Sequence, residues 1–129
     1  MRQQYHFRPV GGDVHIWDVH RLVRLARDIP VERIALADIR EIDEAYWFND
    51  RHATTREIID HMRLVQEADL SWPIIVCPEG RVMDGMHRVG KAMLQGDTHI
   101  TAIRLPSMPA PDHINVDADA LPYDDDTAP

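Results

Sequence analysis

The residues best suited to chemistry in this chain lie in the segment "MDGMHRVGKAM", residues 83–93. A histidine, an arginine and a lysine follow an Asp-Gly pair there, within an otherwise apolar stretch. The first turns of a helix favour a bound anion, because the unpaired N-terminal amides and the helix dipole place partial positive charge at that end. The segment therefore predicts a phosphate site.

Four positions carry this phosphate hypothesis: Gly85, His87, Arg88 and Lys91. Gly85 lets the backbone approach a ligand closely. His87 and Lys91 lie four residues apart and share a helix face, and Arg88 can place two N–H groups on phosphate oxygens. On spacing alone, the alternative that these are ordinary surface cations beside the acids of the preceding helix stays open.

The helix that carries these residues is expected to follow a β-hairpin at residues 72–84, in which "WPIIV" and "RVM" flank a Pro/Gly turn. The helix should begin near Met86 and end at Gly96, which suits a left-handed position after a helix. Residues 99–105, "HITAIRL", predict a closing strand.

Upstream of the hairpin, the pattern predicts two amphipathic helices separated by a short strand. Residues 13–30 repeat apolar side chains at helical spacing, and residues 31–42 alternate as a half-buried strand does. The second helix, residues 54–68, has a capping box formed by Thr54 and Glu57. This order of elements predicts a small α/β domain of the α+β type.

Length and charge limit the domain organisation. The 129 residues suit one domain, expected to span residues 1–111. The net charge is −8, and residues 112–129 contain six Asp but no Lys or Arg. We expect this acidic segment to be a flexible, solvated tail.

Several classes of protein are disfavoured. Cys77 is the only cysteine, so a disulfide framework is excluded and a cytoplasmic location is expected. The sequence shows no signal peptide and no apolar stretch long enough to span a membrane. It has one Lys and 13 dispersed Arg, which predicts no duplex DNA binding by the isolated chain and no nuclease activity.

Residues 54–105 resemble the superfamily of the ParB N-terminal domain and sulfiredoxin, which includes the ParB-like nuclease domain family. The shared order is a "P-I-I-V" strand, a glycine turn, "D-G-x-H-R", a helix, a glycine and a closing strand. The resemblance implies a short mixed sheet packed with three to four helices. It also implies that Gly85, Met86, His87, Arg88 and Lys91 bind a nucleoside triphosphate, ATP or CTP, with Mg²⁺.

The branches of this superfamily differ in the residue that does chemistry. Sulfiredoxins have "G-C-H-R" and partitioning ParB proteins have "G-E-R-R", so Met86 stands where their catalytic Cys or Glu would be. The free-serine kinases resemble "D-G-x-x-R", which implies that Asp84 acts on a hydroxyl. Asp43 and Glu44 follow the first strand, where relatives place acids on the substrate side, so the resemblance implies that either serves as a base or holds a metal ion. Glu44 is the second catalytic candidate.

Two classes of function stay open. The first is a nucleotide-binding domain that hydrolyses a nucleoside triphosphate or transfers its phosphate to a small molecule. The second is a non-catalytic binding module related to the ParB partitioning domain, with protein or DNA partners. The histidine spacings predict no metal site within the protein, and the oligomeric state is open, with a homodimer as one alternative.

Overall fold

The computed structural model describes residues 3–49 and 51–123, which form three α-helices and two small β-sheets. The prediction of an α+β fold is confirmed. In chain order the elements are β1 (Tyr5–Val10), β2 (Asp13–Asp18), α1 (Val19–Ala26), β3 (Glu32–Ala35), α2 (Thr55–Glu67), β4 (Ile74–Val76), β5 (Val82–Asp84), α3 (Met86–Leu94), β6 (His99–Arg104) and β7 (His113–Ile114). Short 3-10 helices span Leu36–Asp38, Arg40–Asp43 and Ala118–Ala120.

The larger sheet has the strand order β3-β6-β4-β5 and separates two apolar clusters. It is mixed, because β4 runs parallel to β6 while the other neighbours are antiparallel. Ile74 and Val76 of β4 belong to the cluster that contains α3, whereas Ile75 between them belongs to the cluster that contains α1. This alternation follows from the pleat of a strand, and it places α1 and α3 on opposite faces.

The predicted capping box of α2 is present. The Thr54 hydroxyl accepts from the Glu57 N–H, and the Glu57 carboxylate accepts from the Thr54 N–H. Only Val65 of this helix is buried, and it packs against Gly90 of α3, where a Cβ would lie 3.2 Å from Val65 Cγ2. No helix in the described part of the chain is long and apolar enough to cross a membrane.

The prediction of a helix from residue 13 is wrong for its first six residues. Asp13–Asp18 form β2, which pairs with β1 across a turn at Gly11 and Gly12, and Gly11 has a φ of +61°. The helix begins only after Asp18, whose carboxylate accepts a hydrogen bond from the His20 N–H at 2.9 Å. Gly11 and Gly12 therefore form the turn of a β1–β2 hairpin, which the apolar pattern alone did not reveal.

The predicted flexible tail also differs from what the structure shows for residues 112–123. There β7 pairs antiparallel with β2, and the Asp112 N–H donates to the Ile16 carbonyl at 2.8 Å. The Asp112 carboxylate accepts from the Asp18 N–H at 2.8 Å, so acidic side chains here serve as hydrogen-bond acceptors. Leu121 is only 4% exposed. Residues 124–129 of the predicted tail lie outside the described residues.

We expect Leu121→Ala to lower the free energy of unfolding by about 2 to 3 kcal/mol, because a buried leucine is truncated. Leu94→Ala is the matched control, since Leu94 is 76% exposed and should change stability by less than about 0.5 kcal/mol. Urea denaturation measures both. Equal stability of the Leu121 variant and the wild type would show that this segment does not pack as described.

Candidate ligand-binding site

A cavity of about 1050 Å³ lies beside the larger sheet, between the first hairpin, α1, the end of α2 and the start of α3. This volume is at the upper end of the range for small-molecule sites. One part of its wall is apolar and is formed by Val19, Val23, Ala26, Ile75, Met83 and Ile103. The segment from Asp84 to Arg88 forms a polar part. The cavity is therefore suited to a ligand with an apolar or aromatic portion and a charged portion.

Gly85 shapes the polar part, because it joins β5 to α3 in a conformation that other residues rarely adopt. Its φ is +109°, and a Cβ at this position would lie 2.6 Å from Ile74 Cγ2. The first N–H groups of α3, including those of Met86 and His87, have no acceptor within the helix. They form the partially positive helix end at which an anion is stabilised.

Arg88 serves mainly to hold the local structure together. Its Nη1 donates to the carbonyls of Trp72 at 3.1 Å and Pro73 at 2.8 Å, and its Nη2 donates to Asp84 Oδ2 at 2.9 Å. The side chain is only 17% exposed. These bonds use three of the five N–H donors of a guanidinium, so the Nε–H and one Nη2–H are left for a ligand.

The structure does not bring Lys91 or Glu44 to the cavity wall. Lys91 Nζ donates to the carbonyls of Gln66 at 3.0 Å and Ala68 at 2.6 Å, at the end of α2 where the helix dipole favours a cation. Both carboxylate oxygens of Glu44 accept from Arg81 Nη1 at 2.9 Å. The roles predicted for Lys91 in phosphate binding and for Glu44 in catalysis stay predictions.

Asp84, Gly85, Met86 and His87 do lie together in the cavity wall. Asp84 is one of three acids in the cavity wall, with Glu67 and Asp69, and it forms an ion pair with Arg88. Met86 is buried and packs into the apolar core, so its side chain supplies no polar group to this site. Its contribution is the backbone N–H.

A histidine pair that the sequence analysis missed adjoins the start of α3. His61 Nδ1 and His87 Nε2 are 2.7 Å apart, and the two ring centroids are 5.0 Å apart with their planes inclined by 23°. A hydrogen bond this short across that separation requires the imidazoles to lie edge to edge, not face to face. The Trp47 ring lies 4.7 Å from both imidazoles and nearly parallel to them, so it covers the pair.

The environment keeps this histidine pair neutral near pH 7. Burial is the largest cause that lowers the pKa of His87 to about 4, and positive charge on His61 or Arg88 acts in the same direction. Burial also lowers the pKa of His61, while Asp60 and Glu57 act in the opposite direction. The two histidines are 26 residues apart and lie on different helices, so no local spacing in the sequence signals their contact.

Two further polar side chains in the cavity wall were also missed. His6 is 7% exposed, and its Nε2 has no hydrogen-bond partner among the described residues. Burial and then the charge of Arg8 lower the pKa of His6 to about 3, so this imidazole is neutral. Burial, with Glu41 and Asp84, raises the pKa of Tyr46 to about 12, so its hydroxyl stays protonated.

Comparisons of the chain with models of protein families, with curated proteins and with solved structures gave no match. Across residues 3–49 and 51–123, no three His, Cys, Asp or Glu side chains are grouped so that they could hold a metal ion. The function of the cavity therefore has to be argued from its own geometry and chemistry.

We expect Arg88→Ala to lower the free energy of unfolding by roughly 2 to 4 kcal/mol, because it leaves Asp84 and two backbone carbonyls without their donor. Arg63→Ala is the control, since Arg63 is 64% exposed and lies 3.8 Å from Asp60. Its effect should stay below about 1 kcal/mol. Chemical denaturation of both variants checks this, and equal stabilities would contradict the role assigned to Arg88.

His6 should make the protein less stable in acid. The unfolded chain binds a proton at His6 below about pH 6.5, whereas the folded protein does so only near pH 3, so stability falls as the pH drops between these values. His6 changes the free energy of unfolding by at most about 1.4 kcal/mol per pH unit. His6→Phe should flatten the curve of unfolding free energy against pH from 7 to 4, with His99→Phe as an exposed control. Parallel curves for wild type and His6→Phe would refute the assignment.

Proposed function

We propose that the cavity binds a nucleoside triphosphate and that its phosphates lie at the start of α3. One observation carries this proposal: the left-handed Gly85 and the first residues of α3, whose N–H groups have no acceptor within the helix, line a cavity of about 1050 Å³. Backbone N–H groups at a helix N-terminus, approached closely because a glycine has no side chain, are a common way to bind phosphate.

The surrounding wall fits the two ends of such a ligand. Arg88 retains donors for phosphate oxygens, and Arg27 adds a second guanidinium to the wall. The apolar part offers room for a nucleobase, and Trp47 and Trp72 add aromatic surface. ATP and CTP, with Mg²⁺ on their phosphates, are the candidates that the resemblance to the ParB and sulfiredoxin superfamily implies.

Whether chemistry follows binding depends on Asp84. In phosphoryl transfer to a hydroxyl, Asp84 would accept the hydroxyl proton while the cation of Arg88 and the helix end stabilise the phosphoryl group. The ion pair between Asp84 and Arg88, at 2.9 Å, instead favours the second candidate function, a non-catalytic nucleotide-binding module with a protein partner. Duplex DNA is the less favoured partner, because Arg88 and Lys91 already donate to groups within the chain.

Calorimetric titration of the full chain with ATP, CTP and inorganic tripolyphosphate, each with and without Mg²⁺, tests the binding proposal. Tripolyphosphate measures the affinity of the phosphate site alone. A nucleotide that binds more tightly than tripolyphosphate would show that the nucleoside also contacts the cavity. Thermal unfolding provides a second readout, since a ligand at a hundred times its Kd adds about 2.7 kcal/mol of stability. The absence of binding by all three ligands would refute the proposal.

Asp84→Asn is expected to bind tripolyphosphate roughly three to ten times more tightly in the absence of Mg²⁺, because a negative charge is removed beside the phosphate site. Any hydrolysis or phosphoryl transfer that the wild type performs should fall sharply in the same variant. Asp97→Asn, beyond the other end of α3, is the matched control and should bind as the wild type does. Weaker binding by Asp84→Asn would place Asp84 among the groups that hold the ligand.

A further inference from the structure

The histidine pair connects the cavity wall with a second helix that contributes no group to the predicted phosphate motif. His87 is the second residue of α3 and lines the cavity, whereas His61 is in α2 and is absent from the cavity wall. Their bond occupies His61 Nδ1 and His87 Nε2. The second nitrogen of His87 is therefore the one left for a ligand.

The accessibility of this second nitrogen follows from two observations. No hydrogen bond within the described residues involves His87 Nδ1. The buried side-chain atoms that lack partners in this part of the chain are His6 Nε2 and Glu41 Oε1, and His87 Nδ1 is not among them. His87 Nδ1 is therefore unbonded and not fully buried, and His87 lines the cavity.

Proton positions then decide whether His87 attracts or repels a phosphate. In the neutral pair, one hydrogen lies between the two rings. If His87 supplies it from Nε2, His87 Nδ1 carries a lone pair, which repels an anionic oxygen; if His61 supplies it from Nδ1, His87 carries its own hydrogen on Nδ1 and donates to a phosphate without a further proton. An additional proton on His87 gives N–H groups at both positions: Nε2–H donates to the lone pair on His61 Nδ1, and Nδ1–H donates to the phosphate.

We propose that His61 is a positioning residue for His87, and that the pair takes up one proton from solvent when a phosphate binds at the start of α3. This inference rests on the proposed function. A bound phosphate favours the charged form of the adjacent imidazole. His61 stays neutral and accepts from His87, so it orients the ring and stabilises the imidazolium while Trp47 covers both rings.

The charged groups around the pair determine the direction of the pH dependence. In the free protein, burial holds the pKa of His87 down, a positive charge on His61 or on Arg88 acts in the same direction, and Asp60 and Glu57 of α2 favour the charged form of His61. Asp84 is paired with Arg88. The bound phosphate raises the pKa of His87 above its free value of about 4. The affinity for phosphate therefore increases as the pH falls below the pKa that His87 has in the complex. It becomes constant below about pH 4, where His87 is protonated in the free protein as well.

Calorimetry with tripolyphosphate at pH 6, in two buffers of different ionisation enthalpy, measures the protons taken up per ligand bound. We compare the full wild-type chain with His61→Phe, which keeps an aromatic ring beneath Trp47 but removes Nδ1. His52→Phe is the matched control, because His52 is exposed. We expect the wild type and the control to take up more protons per ligand bound than His61→Phe, by up to one proton, since the ligand's own protonation cancels in the difference.

The outcomes separate the two proposals. Tight binding with equal proton uptake by wild type and His61→Phe would overturn the role of the pair and leave the phosphate site standing. No binding of tripolyphosphate by the wild type would overturn both. If His61→Phe does not fold, ¹⁵N NMR of the wild-type His87 ring decides: addition of tripolyphosphate should protonate both ring nitrogens, and a ring that stays neutral would refute the inference.

Discussion

The part-buried guanidinium of Arg88 is the constraint on which the arrangement of the site depends. It joins the end of β5, through Asp84, to the backbone at Trp72 and Pro73 just before β4, and it does so from the first turn of α3. A charge this far removed from water is tolerated only when its donors are satisfied. The start of α3 is therefore fixed relative to the sheet, and the N–H groups of its first turn have a defined direction.

Local chemistry explains which parts of the fold were predictable from the sequence. The capping box at Thr54 and the left-handed Gly96 after α3 depend on residues within a few positions of each other, and both are as predicted. The pairing of β2 with β7 depends on residues about a hundred positions apart, so the acidic composition from Asp112 onward gave no indication of it. The start of α1 was misplaced because the apolar pattern of β2 continues into the helix without a break.

The site was predictable only where the backbone defines it. Gly85 and the start of α3 follow from the sequence, because a glycine between a strand and a helix has a clear local meaning. The side-chain contacts cannot be read from the sequence, because the partners of a long cationic side chain depend on tertiary structure. Lys91 binds the end of α2, and the contact between His61 and His87 exists only because α2 and α3 pack closely at Gly90.

The pairing of β2 with β7 also restricts the order in which the chain can fold. His15 lies opposite Ile114, so the smaller sheet gains its third strand only after residue 114 has been synthesised, about a hundred residues after β2. A two-stranded hairpin is marginally stable alone, and closing so long a loop is slow. During translation, the β1–β2 hairpin and Trp17 therefore lack part of their final cover, and a ribosome-bound chain would present this surface to chaperones until β7 emerges.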